Sequence, residues 1–353
     1  MESVAESSVE ARVKRWGREL GFDAVAIAGT DLARDEARLI EWLGRGWHGE
    51  MDYMARHGAR RARPAELVPG TISVITARLN YTTDARDAWE TLEDPASAFI
   101  SRYALGRDYH KVLRAKLQAL AERMTAELGP FQYRVFTDSA PVMEVSLAAM
   151  SGLGWRGKHT LLLSRDAGSL FFLGELFVGL DLEKDKPATE HCGTCERCID
   201  VCPTKAIVAP YQLDARRCVS YLTIEHHGAI PEELRPLMGN RIYGCDDCQL
   251  VCPWNKYAKA ANDPDFAVRN GLDRASLIEL FGWTEQEFLQ RFEGSAIRRI
   301  GHEKWLRNIA VALGNAPTSD AVVAALQSRA DHPSALVREH VGWALARHGR
   351  KAV

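Results

Sequence analysis

Cysteine is the residue type whose spacing in this chain most clearly indicates chemistry. All eight cysteines of the 353 residues lie between Cys192 and Cys252. The first four form a C-x2-C-x2-C-x3-C-P run, made of Cys192, Cys195, Cys198 and Cys202 before Pro203. The second run repeats this spacing without its first cysteine, and it consists of Cys245, Cys248 and Cys252 before Pro253. Cys218 is the one cysteine left to complete it. In bacterial ferredoxins such runs bind iron–sulfur clusters, and the last cysteine of each run ligates the other cluster.

This crossed pattern accounts for all eight cysteines and predicts two [4Fe–4S] clusters. One cluster would be bound by Cys192, Cys195, Cys198 and Cys252, and the other by Cys202, Cys218, Cys245 and Cys248. Zinc is the alternative, because C-x2-C pairs commonly bind it. A zinc site, however, requires neither a third cysteine at the same spacing nor a proline after each run. The cysteines therefore predict electron transfer, without identifying what accepts the electrons.

A single carboxylate is the candidate for proton chemistry. Asp138 lies in the segment 136–141 (FTDSAP), at the end of a predicted strand. In α/β proteins ligands bind at the carboxyl ends of strands. Asp138 could act as a general acid if burial raises its pKa, or it could simply cap a helix or form an Asx turn. Nearby, Tyr109 and His110 are interpreted as ordinary residues at the start of a helix.

A glycine-rich segment offers a second candidate for ligand binding. Residues 151–158 (SGLGWRGK) place three glycines close together before Lys158. Such a segment can bring backbone N–H groups and a cation near a phosphate or another polar cofactor group. A tight turn followed by a surface lysine explains the same pattern.

The elements that would position these residues alternate between helices and strands. Periodicity predicts helices over 8–20, 32–44, 109–128 and 144–150, and strands over 22–27, 72–79, 131–137, 161–164 and 171–178. This mixture predicts an α+β or α/β layer domain over 1–182. The cysteine region follows over 183–256, and a helical region over 257–353. In that last region the segments 306–314 and 337–345 resemble each other, which indicates paired helices of the HEAT type or two unrelated amphipathic helices.

Composition and charge limit the partners. Hydrophobic residues make up 46% and charged residues 26% of a chain whose net charge is −2, which is typical of a globular protein with no overall attraction to nucleic acid or membrane. Residues 291–353 nevertheless carry a net charge of +5, with Arg298, Arg299, Lys304 and Arg307 closely spaced. They could contact a phosphate backbone or form a solvated helix face. No signal peptide and no transmembrane stretch are evident, so we expect a cytoplasmic protein.

Several of these segments together resemble the epoxyqueuosine reductase family over nearly the whole chain. They are SRYALGRDYHKVLR, FTDSAPVMEVSLAAMSGLGWRGKHT, the two cysteine runs with their CP endings, CDDCQLVCPWN and the helix LRNIAVALGN. The resemblance implies an enzyme that uses cobalamin and two [4Fe–4S] clusters to reduce epoxyqueuosine at the wobble position of tRNA, the last step of queuosine synthesis. The implied α+β fold comprises a cobalamin-binding α/β domain related to reductive dehalogenases, a ferredoxin-like domain and C-terminal HEAT-like helices that hold the anticodon stem–loop.

The resemblance also implies roles for individual residues. Asp138 corresponds to the family's proton donor, and we expect a pocket that disfavours its charged form. The implied cobalamin surroundings are Arg61, Ser101, Asp138, Lys158, His159 and Ser220. The implied tRNA contacts are Arg298, Arg299, Lys304 and Arg307. The family usually has Gly-Lys-Asn where this chain has Gly157-Lys158-His159, which leaves the contact from position 159 open and does not make His159 a cobalt ligand.

We also expect a monomer that takes electrons from an external one-electron donor. Two other functions compete with this interpretation. One is a dehalogenase-like cobalamin reductase of a small molecule, for which the basic helical region would have no purpose. The other is a ferredoxin-type carrier, which would leave the FTDSAP and glycine-rich segments unexplained.

Overall fold

The computed structural model describes residues 8–350, and the first part of the chain is built on a four-stranded sheet. The strands of this part are β1 (Ala24–Ala28), β2 (Ser73–Asn80), β3 (Phe99–Ile100), β4 (Tyr133–Thr137), β5 (Trp155–Arg156), β6 (Leu162–Leu163) and β7 (Phe171–Val178). The sheet has the order β1-β2-β7-β4, and every neighbouring pair is antiparallel. Residues 1–7, which belong to the stretch that argued against a signal peptide, lie outside the described residues.

Seven helices accompany these strands. They are α1 (Val9–Glu19), α2 (Ala33–Gly44), α3 (Asp52–Arg56), α4 (Pro64–Leu67), α5 (Ala88–Glu93), α6 (Tyr109–Leu128) and α7 (Glu144–Met150). Local sequence sets the ends of α6, because the Asp108 side chain accepts the N–H of His110 and the helix stops at Gly129, whose φ is +88°. The predicted strands and helices of this part are therefore confirmed, with boundaries that differ by at most two residues at each end.

The sheet lies between two helical layers. Alternate residues of β2 and β7, such as Ile75 and Leu176, pack with α1 and α6. The residues between them, such as Val74 and Phe177, face the opposite side and pack with α7. Because the neighbouring strands are antiparallel, the rule that ligands bind at the carboxyl ends of parallel strands does not explain the position of Asp138. That residue follows β4 at the edge of the sheet, next to the start of α6.

The cysteine region is made of short elements. They are α8 (Arg197–Val201), β8 (Ile207–Ala209), β9 (Gln212–Leu213), α9 (Val219–Ile224), α10 (Arg235–Met238), β10 (Arg241–Tyr243) and α11 (Asp247–Leu250). Helices α8 and α11 carry corresponding parts of the two cysteine runs and pack against each other. Strand β10 pairs in parallel with β3, so this region is joined to the first part of the chain by backbone hydrogen bonds.

The remainder of the described chain is helical. Its helices are α12 (Leu277–Gly282), α13 (Glu285–Arg291), α14 (Gly301–Asn315), α15 (Asp320–Gln327) and α16 (Ala335–Arg347). The two similar segments form α14 and α16, which pack directly against each other, while a HEAT-type repeat stays a prediction. The core of these helices also contains Ile100, Leu105 and Tyr243 from the two preceding regions. No helix within 8–350 combines the length and the apolar character needed to cross a bilayer.

Candidate active site

A cavity of about 390 Å³ lies where the sheet region meets the cysteine region. Tyr109, Asp138 and Glu144 line it from the α6 and α7 side. Four cysteines line it from the other side: Cys202, Cys218, Cys245 and Cys248. An ionisable cluster and four thiols therefore line the same cavity.

The other four cysteines line a separate small cavity of about 50 Å³, and they are Cys192, Cys195, Cys198 and Cys252. The structure thus divides the eight cysteines into the two sets that the crossed pattern predicts. A cubane is larger than one ion, so its thiolates stand farther apart than the ligands of a single zinc ion. Within residues 8–350 no three His, Cys, Asp or Glu side chains converge closely enough for a single metal ion. Burial also raises the pKa of Cys245 and Cys248, so without a metal these thiols keep their protons.

Asp138 is held in position by two residues from the start of α6. The Tyr109 hydroxyl donates a hydrogen bond to Asp138 Oδ2, and His110 Nε2 lies 3.1 Å from the same oxygen. The other ring nitrogen of His110, Nδ1, lies 2.7 Å from Asp108 Oδ1. The backbone of Asp138 has a φ of +29°, a region that non-glycine residues rarely adopt. Strain of this kind persists where surrounding contacts hold a functional residue.

The expectation that the site disfavours the charged form of Asp138 is wrong for this arrangement. Burial in the cavity wall raises the pKa of Asp138, but the hydrogen bonds from His110 and Tyr109 lower it by more, so it lies below the ordinary value. Burial alone would lower the pKa of His110, but its hydrogen bonds with Asp108 and Asp138 raise it to about 9. At neutral pH the shared proton therefore resides on the imidazole, and the two residues together hold one proton beside the cavity.

Two carboxyl groups with the opposite behaviour lie beside Asp138. Glu144, at the first position of α7, accepts a hydrogen bond from the Asp138 backbone N–H. Burial raises the pKa of Glu144 to about 8. Burial also raises the pKa of Glu175, the next carboxyl inward, well above its ordinary value.

Four of these residues are not predicted as functional from the sequence. Tyr109 and His110 have the pattern of ordinary helix-start residues, and neither Glu144 nor Glu175 is among the predicted site residues. One signal could have identified Glu175, because it is a charged residue inside the otherwise apolar strand FFLGELFV. No comparable signal distinguishes His110, because its role depends on contact with Asp138, which is 28 residues away in the sequence.

The residues implied for cobalamin do not all lie on one surface. Ser101, His159 and Ser220 line the main cavity together with Asp138. Arg61 lines an adjoining cavity of about 570 Å³, which shares Asp138 and Glu144 with the first. Lys158 instead lines the small cavity beside the other four cysteines, and its ammonium lies 4.0 Å from Glu196.

His159 lines both the main and the small cavity, and it carries an unsatisfied buried donor. Its ring is buried, and its Nδ1 accepts the N–H of Leu161 at 3.2 Å. Nε2 must therefore carry the ring proton of the neutral imidazole, and it has no partner among the described protein groups. Burial lowers the pKa of His159 to about 4, so the ring stays neutral. A buried donor without a partner suits an acceptor on a bound ligand, and a protonated Nε2 is not a metal ligand.

The four cations predicted to contact tRNA differ in their exposure and in their partners. Arg298 is exposed, Arg299 forms an ion pair with Glu225, and Lys304 donates to the carbonyl of Ile224 at 3.0 Å. Arg307 corrects the prediction of a common basic face, because none of it is exposed. Its guanidinium donates to three backbone carbonyls, those of Leu222, His226 and Gly228. Arg307 therefore holds the segment after α9 instead of facing a ligand.

Comparison with known proteins agrees with this geometry. A family model for a double 4Fe-4S cluster binding domain matches residues 191–255, and a model for epoxyqueuosine reductase QueG, DUF1730, matches residues 61–139. The curated epoxyqueuosine reductase of Xanthomonas campestris pv. campestris is 61% identical to this chain over 340 residues. The alignment covers 96% of this chain and 96% of that protein. The chain therefore contains the double-cluster domain that its cysteine spacing predicts.

The fold of this chain is also similar to the solved structures of epoxyqueuosine reductases. An epoxyqueuosine reductase crystallised with an epoxyqueuosine-modified tRNA-Tyr stem loop has a TM-score of 0.86 and 27% identity, with 96% of this chain and 89% of that chain covered. A Bacillus subtilis epoxyqueuosine reductase, described with its aspartate-bearing catalytic loop swung out of the active site, has the same TM-score at 26% identity, and 96% of this chain and 89% of that chain are covered. A reductive dehalogenase aligns with 72% of this chain at a TM-score of only 0.44, a likeness too low to bear on function. The identity to the Xanthomonas protein extends over the sheet, the cysteine region and the helices alike, and this chain belongs to the epoxyqueuosine reductase family.

Proposed function

We propose that this chain reduces epoxyqueuosine to queuosine in tRNA. One observation carries the proposal: Asp138, which is paired with His110, and four thiols of a cluster set line the same cavity. Conversion of an epoxide to an alkene and water consumes two electrons and two protons, so both must reach one site. The arrangement supplies a source of each on opposite walls of that site.

We infer that cobalamin occupies the main cavity and the adjoining one. Bound there, it would supply a low-valent metal centre that can reduce the epoxide, which no side chain can do. The unpartnered Nε2 donor of His159 and the hydroxyls of Ser101 and Ser220 fit a cofactor rich in hydrogen-bond acceptors. Arg61 would contact it from the adjoining cavity, whereas Lys158 would act only from the direction of the small cavity.

The two thiol sets would form an electron path with a direction. Each set would hold one [4Fe–4S] cluster with the ligands that the crossed pattern assigns. The set on the small cavity includes the exposed Cys195, so it would receive electrons singly from an external one-electron donor. The set on the main cavity would deliver them to the reaction. Asp138 would protonate the departing epoxide oxygen with the proton that it shares with His110, because an alkoxide leaves poorly without one.

We further propose that the helical region holds the anticodon stem–loop. Arg298 is exposed, and the charge of Arg299 acts on Tyr53 and Asp138, which line the adjoining cavity. Cations beside a reaction site can position an RNA backbone through its phosphates. In this proposal residues 1–182 bind cobalamin, 183–256 the clusters, and 257–353 the tRNA through HEAT-like helices. The single chain would act as a monomer in the cytoplasm, where its substrate would be found.

The test is an anaerobic conversion assay. Protein with verified clusters and cobalamin is incubated with a reductant and tRNA that contains epoxyqueuosine, and the nucleosides are identified by mass. We expect conversion to queuosine, and Asp138→Asn should lower the rate by about 10²–10⁴-fold because it removes the proton donor. Absence of conversion by the loaded wild-type protein would contradict the proposed function, whereas full turnover by Asp138→Asn would contradict only the role of Asp138.

A further inference from the structure

Glu175 is a fully buried carboxyl group that the chemistry described so far does not use. It lies in the centre of β7, opposite Thr76 on β2 and Phe136 on β4. None of the residue is exposed, and neither carboxyl oxygen accepts a hydrogen bond from an N–H or hydroxyl group among the described protein groups. An ionised carboxylate without a donor is very costly in such a place, so a group in this position keeps its proton.

Glu144 connects this buried group to the cavity. The side chains of Glu144 and Glu175 lie within hydrogen-bonding reach on the α7 side of the sheet. Two carboxyl groups in contact cannot both be ionised, and a proton on one of them makes the hydrogen bond between them. Glu144 also lines both the main and the adjoining cavity and accepts the backbone N–H of Asp138. A continuous path of polar groups therefore runs from inside the sheet to the proton donor.

The reaction proposed above needs a second proton that the His110–Asp138 donor does not provide. One proton goes to the epoxide oxygen when the first C–O bond breaks, and another converts the departing hydroxyl group to water. The two electrons come through the clusters, and the products are the alkene and one water molecule. After the first transfer the His110–Asp138 pair has given up its proton. Burial raises the pKa of Tyr109 well above its ordinary value, so this hydroxyl is a poor acid and the two glutamates are the better source of a second proton.

We propose that Glu144, with Glu175 behind it, holds the second proton of the reaction and delivers it directly to the cavity that Glu144 lines. This inference rests on the proposed function for its substrate. The contact between the two glutamates itself does not depend on the substrate. Glu144 is a catalytic residue in this proposal, and Glu175 is a positioning residue that keeps the pair neutral.

The surroundings of Glu144 favour a proton that is present at neutral pH and can be released. Ionisable groups from four segments of the chain interact with Glu144 or with Glu175. They are Asp138, Glu175, His110, Tyr109 and Arg61. Burial and the negative charge of Asp138 raise the pKa of Glu144 to about 8, while the proton of Glu175 and the charge of His110 act in the opposite sense. Glu144 is therefore protonated at pH 7 and loses its proton as the pH rises through 8.

The first experiment measures the pH dependence of a single turnover. Pre-reduced, cobalamin-loaded protein is mixed with epoxyqueuosine-containing tRNA between pH 6 and pH 9.5. We expect the wild-type rate of alkene formation to fall above about pH 8. Glu144→Gln keeps the shape and the acceptor for the Asp138 N–H, so we expect a rate at least tenfold lower at pH 7 and no fall near pH 8. Glu144→Asp, which retains an acid, should recover the fall. Glu93→Gln, an exposed change on α5, should behave as the wild type does.

The second experiment does not depend on turnover. Infrared difference spectra in H2O and D2O detect a protonated carboxyl group directly. We expect one such band that disappears as the pH rises from 7 to 9 and is absent from Glu144→Gln, and a second that does not titrate and is absent from Glu175→Gln. Iron content and thermal unfolding show that each variant is folded, and Glu175→Gln serves alone if Glu144→Gln does not fold.

The outcomes separate the two proposals. If the wild-type protein shows no conversion, the proposed function fails, and the infrared bands still decide whether the pair holds a proton. A wild-type rate and pH profile in Glu144→Gln would overturn the inference while conversion itself stands. A spectrum that neither variant changes would also overturn it.

Discussion

Asp138 and His110 share one proton across a 3.1 Å contact, and His110 is oriented by Asp108 on its other side. This arrangement resembles a catalytic acid only when both partners are considered, because Asp138 by itself is held in its ionised form. Binding of a substrate that excludes water would weaken the charged pair and move the proton from the imidazole to the carboxylate. The donor therefore depends on occupancy of the cavity as well as on residue type.

The His110 pair makes a contribution to stability with a definite pH dependence. The pKa of His110 is about 9 in the folded chain and near 6.5 in the unfolded one. Its stabilising contribution is therefore fully present below pH 6.5 and is lost as the pH rises through 9. His110→Gln should lower the free energy of unfolding at both pH values. The loss at pH 6 should exceed the loss at pH 10 by about 2 kcal/mol. Anaerobic urea unfolding at both pH values measures the difference.

His227→Gln is the control for that measurement, because this histidine is exposed. Its effect should be small and the same at both pH values. An effect of His110→Gln that is equally large at pH 6 and pH 10 would contradict the pairing with Asp138.

Among the secondary-structure elements, α14 and α16 determine the form of the helical region. Their close approach occurs at Gly314, where an added Cβ would lie 2.5 Å from Trp343 Cζ3 and 3.0 Å from Ala344 Cα. Helix α14 also carries Lys304 and Arg307, whose hydrogen bonds reach the segment around α9. The packing of α14 on α16 thus positions the contacts by which the helical region meets the cysteine region.

Two glycine substitutions test this packing. Gly314→Ala should destabilise the protein by about 1–3 kcal/mol, because the added methyl group overlaps the backbone of α16. Gly342→Ala, on α16 itself, meets no atom within 4 Å and should stabilise the protein by about 0.5–1 kcal/mol through its better helix propensity. Thermal unfolding of both variants measures the effects. Equal shifts in the same direction would rule out a close contact at Gly314.

Over the described part of the molecule, the groups to which we assign functions lie around connected cavities. A thiol set that includes an exposed cysteine lines the small cavity, and a second thiol set and Asp138 line the main cavity. In the proposed function, electrons enter at the first thiol set and the reaction takes place in the main cavity.

The division of the cysteines between the two cavities predicts different consequences for two cysteine substitutions. Cys252→Ser and Cys218→Ser should each lower the iron content from about eight to about four atoms per chain, because each removes a ligand of one cluster. With a strong chemical reductant, Cys252→Ser should still reduce the substrate, since the set that remains faces the main cavity. Cys218→Ser should not, since its remaining set does not. Iron analysis and the conversion assay check both statements, and turnover by Cys218→Ser alone would reverse the inferred direction of electron flow.

Several features were determined by sequence alone because they depend on local spacing. The two cysteine runs specify cluster binding through residues two or three positions apart, and the periodicity of residues 109–128 specifies a helix with a cap at each end. The crossed ligand sets also follow from spacing, and the separate cavities agree with them. Asp138 could be named as the candidate acid because FTDSAP is a contiguous motif.

Other features were decided only by tertiary structure, because they depend on residues that meet across the sheet. The pKa of Asp138 is set by His110 and Tyr109 from α6, and the neutral glutamate pair combines the start of α7 with the middle of β7. The spacing of the cations predicts that Arg307 shares a basic face with Arg298, Arg299 and Lys304. In the structure its guanidinium is buried against three carbonyls and is not on the surface. Spacing along the chain reports which groups are present, whereas the protonation and exposure of a group depend on what the folded chain packs around it.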